Sequence, residues 1–298
     1  MRAYLTLLLT LAAIWGASYM FIEIALRDLE PTTMMAGRLV IAAIFLVGLM
    51  AWRGLLGRLR RVGRRVFALG LINSALPFTL IAWGQKHIDS GVAAIANATV
   101  PLFVAVLAIW LAHSERATGL RVVGIVLGLV GVGVLTGAQP EVDAWAVIGT
   151  LAVVAASVSY ALAGLLLQRQ TERVDTITLS TATTIGATLA LLPFGIAQAP
   201  GEVPGWEASA SVLALGIAGT GLGILMFMKM IGDFGTFRAG LVTYLMPATA
   251  LLYGAFLLDE TITALMLVGM ALVLSGVALG SGLLRPSAEP DAVEPARP

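Results

Sequence analysis

Long apolar runs, broken by short clusters of polar and charged residues, make up nearly the whole of this 298-residue chain. The period-two alternation that a membrane-spanning barrel requires is absent. A helix needs about 20 apolar residues to cross the hydrocarbon core of a bilayer. Runs of that length recur ten times and predict spanning helices over 4–26, 32–52, 66–84, 88–112, 118–137, 144–168, 176–199, 208–230, 236–258 and 262–284. Their connections are short and leave no room for a soluble domain. The run after Arg2 exceeds the core of a secretory signal and reads as the first span. Residues 285–298, RPSAEPDAVEPARP, combine Pro with charge and read as a disordered tail.

Composition agrees. Hydrophobic residues are 59% and charged residues 12% of the chain, against about 25% charged in a soluble domain. The mean hydropathy is +0.95. The fold class this predicts is an all-α integral membrane protein with ten transmembrane helices. A net charge of +1 gives no electrostatic footprint for nucleic acid. The absence of Cys excludes thiolate metal sites and disulfides. The two histidines, His87 and His113, lie at predicted helix ends, and no HExxH, DxxD or GxSxG pattern occurs. A membrane-embedded enzyme therefore ranks below a transporter, and no catalytic residue, metal site or cofactor is expected.

The runs come in two sets. ALGLINSALPFTLIAWGQKHIDSGVAAIANATVP, Ala68 to Pro101, aligns without a gap on ALGIAGTGLGILMFMKMIGDFGTFRAGLVTYLMP, Ala214 to Pro247. Pro101 thus has a twin in Pro247. Downstream, Glu115 faces Glu260, and Gly124 and Gly131 face Gly269 and Gly276; upstream, ASY at Ala17 faces VSY at Val158. This predicts two five-helix repeats, residues 1–139 and 140–284, followed by the 285–298 tail.

Five is odd, so alternating helices would insert the second copy upside down. Positively charged loops face the cytoplasm, which provides a check. Arg53, Arg58, Arg60, Arg61, Arg64 and Arg65 follow the second helix, whereas the matching PGEVPGWEA has no Lys or Arg. Arg116 and Arg121 stand against none at Asp259 to Thr261, and Arg169 and Arg173 against Arg27 alone. Two inverted repeats with both termini cytoplasmic satisfy all three comparisons. Such halves around an in-plane pseudo-two-fold axis supply the geometry of alternating access.

Polar positions inside the spans mark candidate chemistry. Pro cannot donate to the carbonyl four residues back, so Pro101 frees the C=O of Asn97 and Pro247 that of Thr243. Either the freed carbonyls line a shared cavity, or each proline is a kink whose carbonyl meets a neighbouring hydroxyl. Asn73 and Pro77, beside Phe78, repeat the pattern of a polar group one turn before a proline; the copy has Gly219 and Gly223. The sequon Asn97-Ala98-Thr99 lies in mid-span and is not a glycosylation site. Gly124/Gly128, Gly133/Gly137 and Gly276/Gly280 have the small-xxx-small spacing of close helix packing. Arg38 lies about two turns inside a span. It either faces an outer vestibule and attracts a carboxylate or, the reading favoured by sequence, snorkels or binds helix-terminal carbonyls. Glu23/Arg27 and Lys229/Asp233 have the spacing of ion pairs. Glu115 and Glu260, after Ser114 and Asp259, stand where they can cap the fifth and tenth helices.

GVAAIANATVPLFVAVLAIWLAHSERATGLRVVGIVLGLVGVGVL from Gly91, and AGLVTYLMPATALLYGAFLLDETITALMLVGMALVLSGVAL from Ala239, carry a mid-helix Pro, an acidic residue after the next turn and a spaced-Gly helix. With WGASYMF at Trp15 and Arg38 after PTTMMAG, these features resemble the EamA family of the drug/metabolite transporter superfamily, over nearly all of the chain. The resemblance implies inverted five-helix repeats, a bacterial cytoplasmic-membrane location and movement of small metabolites, with amino-acid exporters well represented. The expected substrate site draws on Trp15, Tyr19, Arg38, Asn73, Pro77, Phe78, Trp83, Asn97, Pro101, Tyr160, Thr243, Tyr244 and Pro247. Aromatic surface with few hydrogen-bonding groups suits a neutral or zwitterionic solute with an apolar side chain, not a phosphorylated sugar. The expected function is alternating-access export of neutral, aromatic or aliphatic amino acids; the alternative is a passive facilitator or channel. Partners are a small-molecule substrate and membrane lipid, without nucleic acid, in a monomer or homodimer. Glu23 is the acidic candidate for proton coupling, and facilitated diffusion or weak coupling is expected.

Overall fold

The computed structural model describes residues 2–111, 119–137, 143–171 and 173–280. All regular structure among these residues is helical. In chain order the helices are α1 (Arg2–Ala25), α2 (Pro31–Trp52), α3 (Arg64–Gln85), α4 (Ser90–Asn97, resuming as Val100–Leu111) and α5 (Leu120–Thr136). They continue with α6 (Ala144–Gln168), α7 (Thr176–Ala197), α8 (Trp206–Phe234), α9 (Thr236–Gly240, resuming as Val242–Leu257) and α10 (Ala264–Gly280). A one-turn helix, Leu56–Leu59, sits in the arginine-rich connection after α2. Among the described residues eight helices are long and apolar enough to cross a membrane; α5 and α10 are shorter there, at 17 residues each. The predicted tail and His113, Ser114, Glu115 and Arg116 lie outside the described residues.

Local chemistry fixes the helix starts. Pro31 opens α2, where its preset φ suits the first turn and its missing N–H costs nothing. Asp143 accepts from Ala146 N (2.7 Å) to cap α6, and Asp175 accepts from Thr178 N (3.1 Å) to cap α7. Burial pushes the Asp175 carboxyl up, but bonds from Thr178 and Arg58 outweigh it and hold the group below the usual carboxylate range. Thr263 accepts from Met266 N (3.2 Å) at the start of α10.

Packing pairs elements across the two sequence copies. Helix α1 lies against α8 and α9, while α6 lies against α3 and α4; α2 packs on α7 and α8, and α7 also on α3. Helices α5 and α10 meet along their glycines: a Cβ on Gly124 would sit 2.6 Å from the Gly276 carbonyl oxygen, and one on Gly131 would sit 2.8 Å from Val273 N. Their backbones touch there, as small-xxx-small spacing permits, but the Gly133/Gly137 pair takes no part: Gly133 has nothing within 4 Å of its Cβ position and Gly137 meets only Val134 of its own helix. Outward residues such as Ile44, Leu189, Phe194 and Phe256 are exposed apolar surface, suited to acyl chains.

Two departures from regular helix were not predicted. Leu71–Ala75 in α3 and Leu215–Leu222 in α8 are π-helical, and the gapless alignment superposes them. A π turn offsets the hydrogen-bond ladder and leaves carbonyls for other donors. Ser159 Oγ on α6 donates to Ile72 O (2.7 Å), and Trp15 Nε1 on α1 donates to Gly219 O (3.0 Å). The prolines behave unequally. Helix α4 breaks at Ala98 and Thr99 just before Pro101, whereas α9 passes Pro247 intact and steps at Leu241.

Candidate functional site

Five of the expected site residues converge near the middle of the bundle. Tyr19 Oη on α1 accepts from Asn97 Nδ2 on α4 at 2.8 Å. The carbonyl of Asn97, freed ahead of Pro101, lies 3.4 Å from Ser157 Oγ on α6, whose one proton is shared among that carbonyl, Asn97 Oδ1 (3.3 Å) and Val153 O in its own helix (3.2 Å). A neighbouring hydroxyl thus stands within reach of the freed carbonyl, and the polar side chain beside it faces the cluster. Arg38 on α2 donates from Nε to Thr220 Oγ1 on α8 at 2.9 Å, and its guanidinium stands 3.9 Å from the ring centroid of Phe78 on α3. Phe78 meets Tyr160 on α6 edge-on at 6.3 Å.

Arg38 is 7% exposed. Among the described residues no carboxylate lies within ion-pair distance of it. The preferred sequence reading, snorkelling or helix-end carbonyls, gives way to a buried guanidinium braced by a hydroxyl and an aromatic face. Cation–π contact and one hydrogen bond orient the fork without neutralising it. Asn73, Phe78, Asn97, Tyr160 and Tyr244 all keep partial exposure although they lie well inside helices.

Other expected residues lie apart from this cluster or serve the backbone. Trp15 bonds the π segment of α8 and packs on Phe227 at 5.3 Å. Trp83 leans on His87 (4.7 Å), which stacks on Trp145 (5.2 Å), placing it at the end of α3. Thr243 Oγ1 bonds Gly240 O (2.8 Å), and Asn73 Nδ2 bonds Ser74 Oγ (3.2 Å), both local contacts. Pro77 is buried directly after the α3 π segment, Pro101 follows the α4 break, and Pro247 is buried in α9. Sequence reasoning missed Thr220 and Ser157. The signal for Thr220 was present, because the gapless alignment sets it opposite Ser74.

A second polar region joins the ends of α1, α3 and α9, around a cavity of about 430 Å³ whose lining includes Glu23, Arg27, Gln85, Asp89 and Glu260. Glu260 does not cap α10. Its Oε1 accepts from Ser90 N (2.9 Å) and its Oε2 from Gly91 N (3.2 Å), so it caps α4 in the other half. Asp259, at φ +58°, makes the turn that aims Glu260 backward, a conformation Asp tolerates better than most residues. Glu23 and Arg27 form no ion pair: the Arg27 guanidinium instead lies 3.9 Å from Glu207. Lys229 and Asp233 do pair, at 2.8 Å. Burial, and then the Glu260 charge, push the Asp89 carboxyl up to about 6.

An all-helical apolar bundle, with buried polar groups gathered at mid-helix and matched irregularities in its two halves, defines a multi-pass membrane protein of the transporter class. The family comparison makes this specific: the model of the EamA-like transporter family matches residues 2–137 and again 147–282, and the chain belongs to that family. A Bacillus subtilis relative named "Uncharacterized transporter YoaV" is 23% identical over 92% of this chain and 95% of its own length. The Escherichia coli "Uncharacterized inner membrane transporter YedA" is 26% identical over 91% and 88%. A "Probable terminal-alkyne amino-acid exporter" of Streptantibioticus cattleyicolor is 27% identical over 93% of each chain. One crystal structure superposes with a TM-score of 0.67 at 18% identity, covering 95% of this chain and 98% of that one, which supports the fold.

Proposed function

We propose that the protein is a secondary transporter of the bacterial cytoplasmic membrane that exports neutral amino acids with aliphatic or aromatic side chains by alternating access. The observation that carries the substrate reading is Arg38, a buried guanidinium with no carboxylate partner among the described residues. A planar guanidinium matches a carboxylate through paired hydrogen bonds, and a bound α-carboxylate would supply the charge the site lacks. Phe78 and Tyr160 beside it offer aromatic surface to an apolar side chain, and the Tyr19–Asn97 pair offers hydrogen-bonding groups. The amino-acid exporter among the relatives favours the same class.

Alternating access is supported by the double match of the family model and by the matched π segments. The arginines after α2, absent from the matching connection after α7, favour an inverted arrangement with cytoplasmic termini. Counterflow of labelled L-leucine and L-phenylalanine in proteoliposomes tests the reading. A carrier accelerates exchange when unlabelled solute is loaded inside; a passive facilitator or channel shows no such acceleration, and that result would replace the proposal.

A further inference from the structure

The cavity at the ends of α1, α3 and α9 contains an imbalance that the substrate site does not explain. Gln85 is 3% exposed, and its Nε2 donates to the backbone carbonyl of Tyr19 at 2.9 Å. A carbonyl cannot donate, so this bond fixes the orientation of the amide and makes the other end an acceptor. That acceptor, Gln85 Oε1, is buried with no partner. Glu23 Oε2 is likewise buried with no partner, and the two side chains interact along the same wall. Two adjacent orphan acceptors in a desolvated site call for a donor.

The surrounding charges do not supply one. Asp89, before α4, and Asp259 and Glu260, after α9, line the same cavity and add negative charge. On the positive side, Arg27 lines the cavity and acts on Glu23 from beyond ion-pair distance, its guanidinium lying 3.9 Å from Glu207, and Lys86 is bonded to Glu30 (3.0 Å). His87 is stacked on Trp145, with the tilted Trp83 ring also beside it. Like-charged carboxylates in a shared, partly buried site favour protonation of one of them. Among the described residues no group of three His, Asp or Glu side chains is arranged to hold a metal ion, which argues against a bound metal cation.

We propose that Glu23 is a proton-binding site: in this conformation its carboxyl carries a proton, which satisfies the buried acceptors it shares with Gln85, and its loss and uptake accompany transport. The placement suits coupling, and this part rests on the transporter reading above. Glu23 lies one turn beyond Tyr19 on α1, and Gln85 bonds the carbonyl of that same Tyr19, whose hydroxyl is held by Asn97. Ionising Glu23 repels Asp89 and Glu260, and Glu260 joins the halves through the α4 N-terminus. A proton on Glu23 thus favours keeping these ends together, and its departure favours separating them.

Infrared absorption of the full chain in phosphatidylcholine vesicles, titrated from acid to alkaline pH, tests the assignment. The expected result is a protonated-carboxyl C=O band that persists at neutral pH, is lost in Glu23→Gln and is retained in Asp89→Asn. Glu23→Gln, with size-exclusion behaviour like that of the unmodified chain, is also expected to lose accumulation of L-leucine driven by a pH gradient. A neutral-pH spectrum of the unmodified chain without the band overturns the proposal, as does a band lost in Asp89→Asn instead. Accumulation that still follows the pH gradient in Glu23→Gln overturns it too, as does accumulation by the unmodified chain that follows a sodium gradient. Absence of counterflow in the unmodified chain refutes the proposed alternating-access amino-acid carrier, and the infrared band then decides the proton site by itself.

Discussion

Arg38 concentrates the substrate hypothesis in one side chain. Replacing it by Gln removes the charge and the fork together, and hydrogen bonds to charged groups contribute about 1.5–3 kcal/mol. Counterflow of L-leucine at limiting concentration is expected to fall by roughly one to two orders of magnitude in Arg38→Gln. Arg38→Lys keeps the charge but not the paired geometry, and is expected to recover only part of the loss. Asp89 gives a pH test. Its carboxyl titrates near 6 in the folded chain, above the ordinary 3.8, so the folded state binds the proton more tightly than the unfolded one. Its contribution is fully present below the ordinary value and is lost as pH rises through about 6. Thermal stability in detergent is therefore expected to rise as pH falls from about 7 to about 5, with a shallower rise in Asp89→Asn. The sequence showed Arg38, Asn97 and the tyrosines as polar anomalies in apolar runs. It did not show which of them touch, because contact depends on helix rotations that no single run encodes; Trp83 faces His87 rather than Arg38 for that reason.

Among the elements, α5 and α10 were the most legible, since their glycine spacing announced a close crossing and the crossing joins these two helices. A Leu at Gly276 would drive its side chain into the backbone of α5 at Gly124 and Gly128. Overpacking costs typically about 1–3 kcal/mol, and a backbone-on-backbone seam has little room to yield. Gly276→Leu is expected to lower the melting midpoint in detergent, whereas Gly133→Leu, which has open space at its Cβ, is expected to leave it nearly unchanged. The π segments were illegible because a one-residue offset in the ladder leaves the apolar pattern almost intact; only the polar twins Ser74 and Thr220 hinted at them. Glu260 was misassigned for a related reason. Its spacing fits capping of the following helix, but the left-handed Asp259 turns it toward α4.

For the whole molecule, the inverted arrangement has a direct test, made convenient by the lack of native Cys. Gly57, with open space at its Cβ, and Val203, 93% exposed, lie in corresponding connections of the two copies. Gly57→Cys is expected to react with a membrane-impermeant maleimide only in inside-out vesicles, and Val203→Cys only in right-side-out cells. Labelling of both from one side would make the duplication parallel and remove the basis for alternating access. The seam between α5 and α10 also bears on the duplication. Each of these helices presents its glycine stripe to the other half, so a lone five-helix unit would leave that stripe facing lipid. Under the proposed inversion, a single-copy unit could bury it in this way only against a sibling threaded into the bilayer the opposite way, whereas one continuous chain carries both orientations at once.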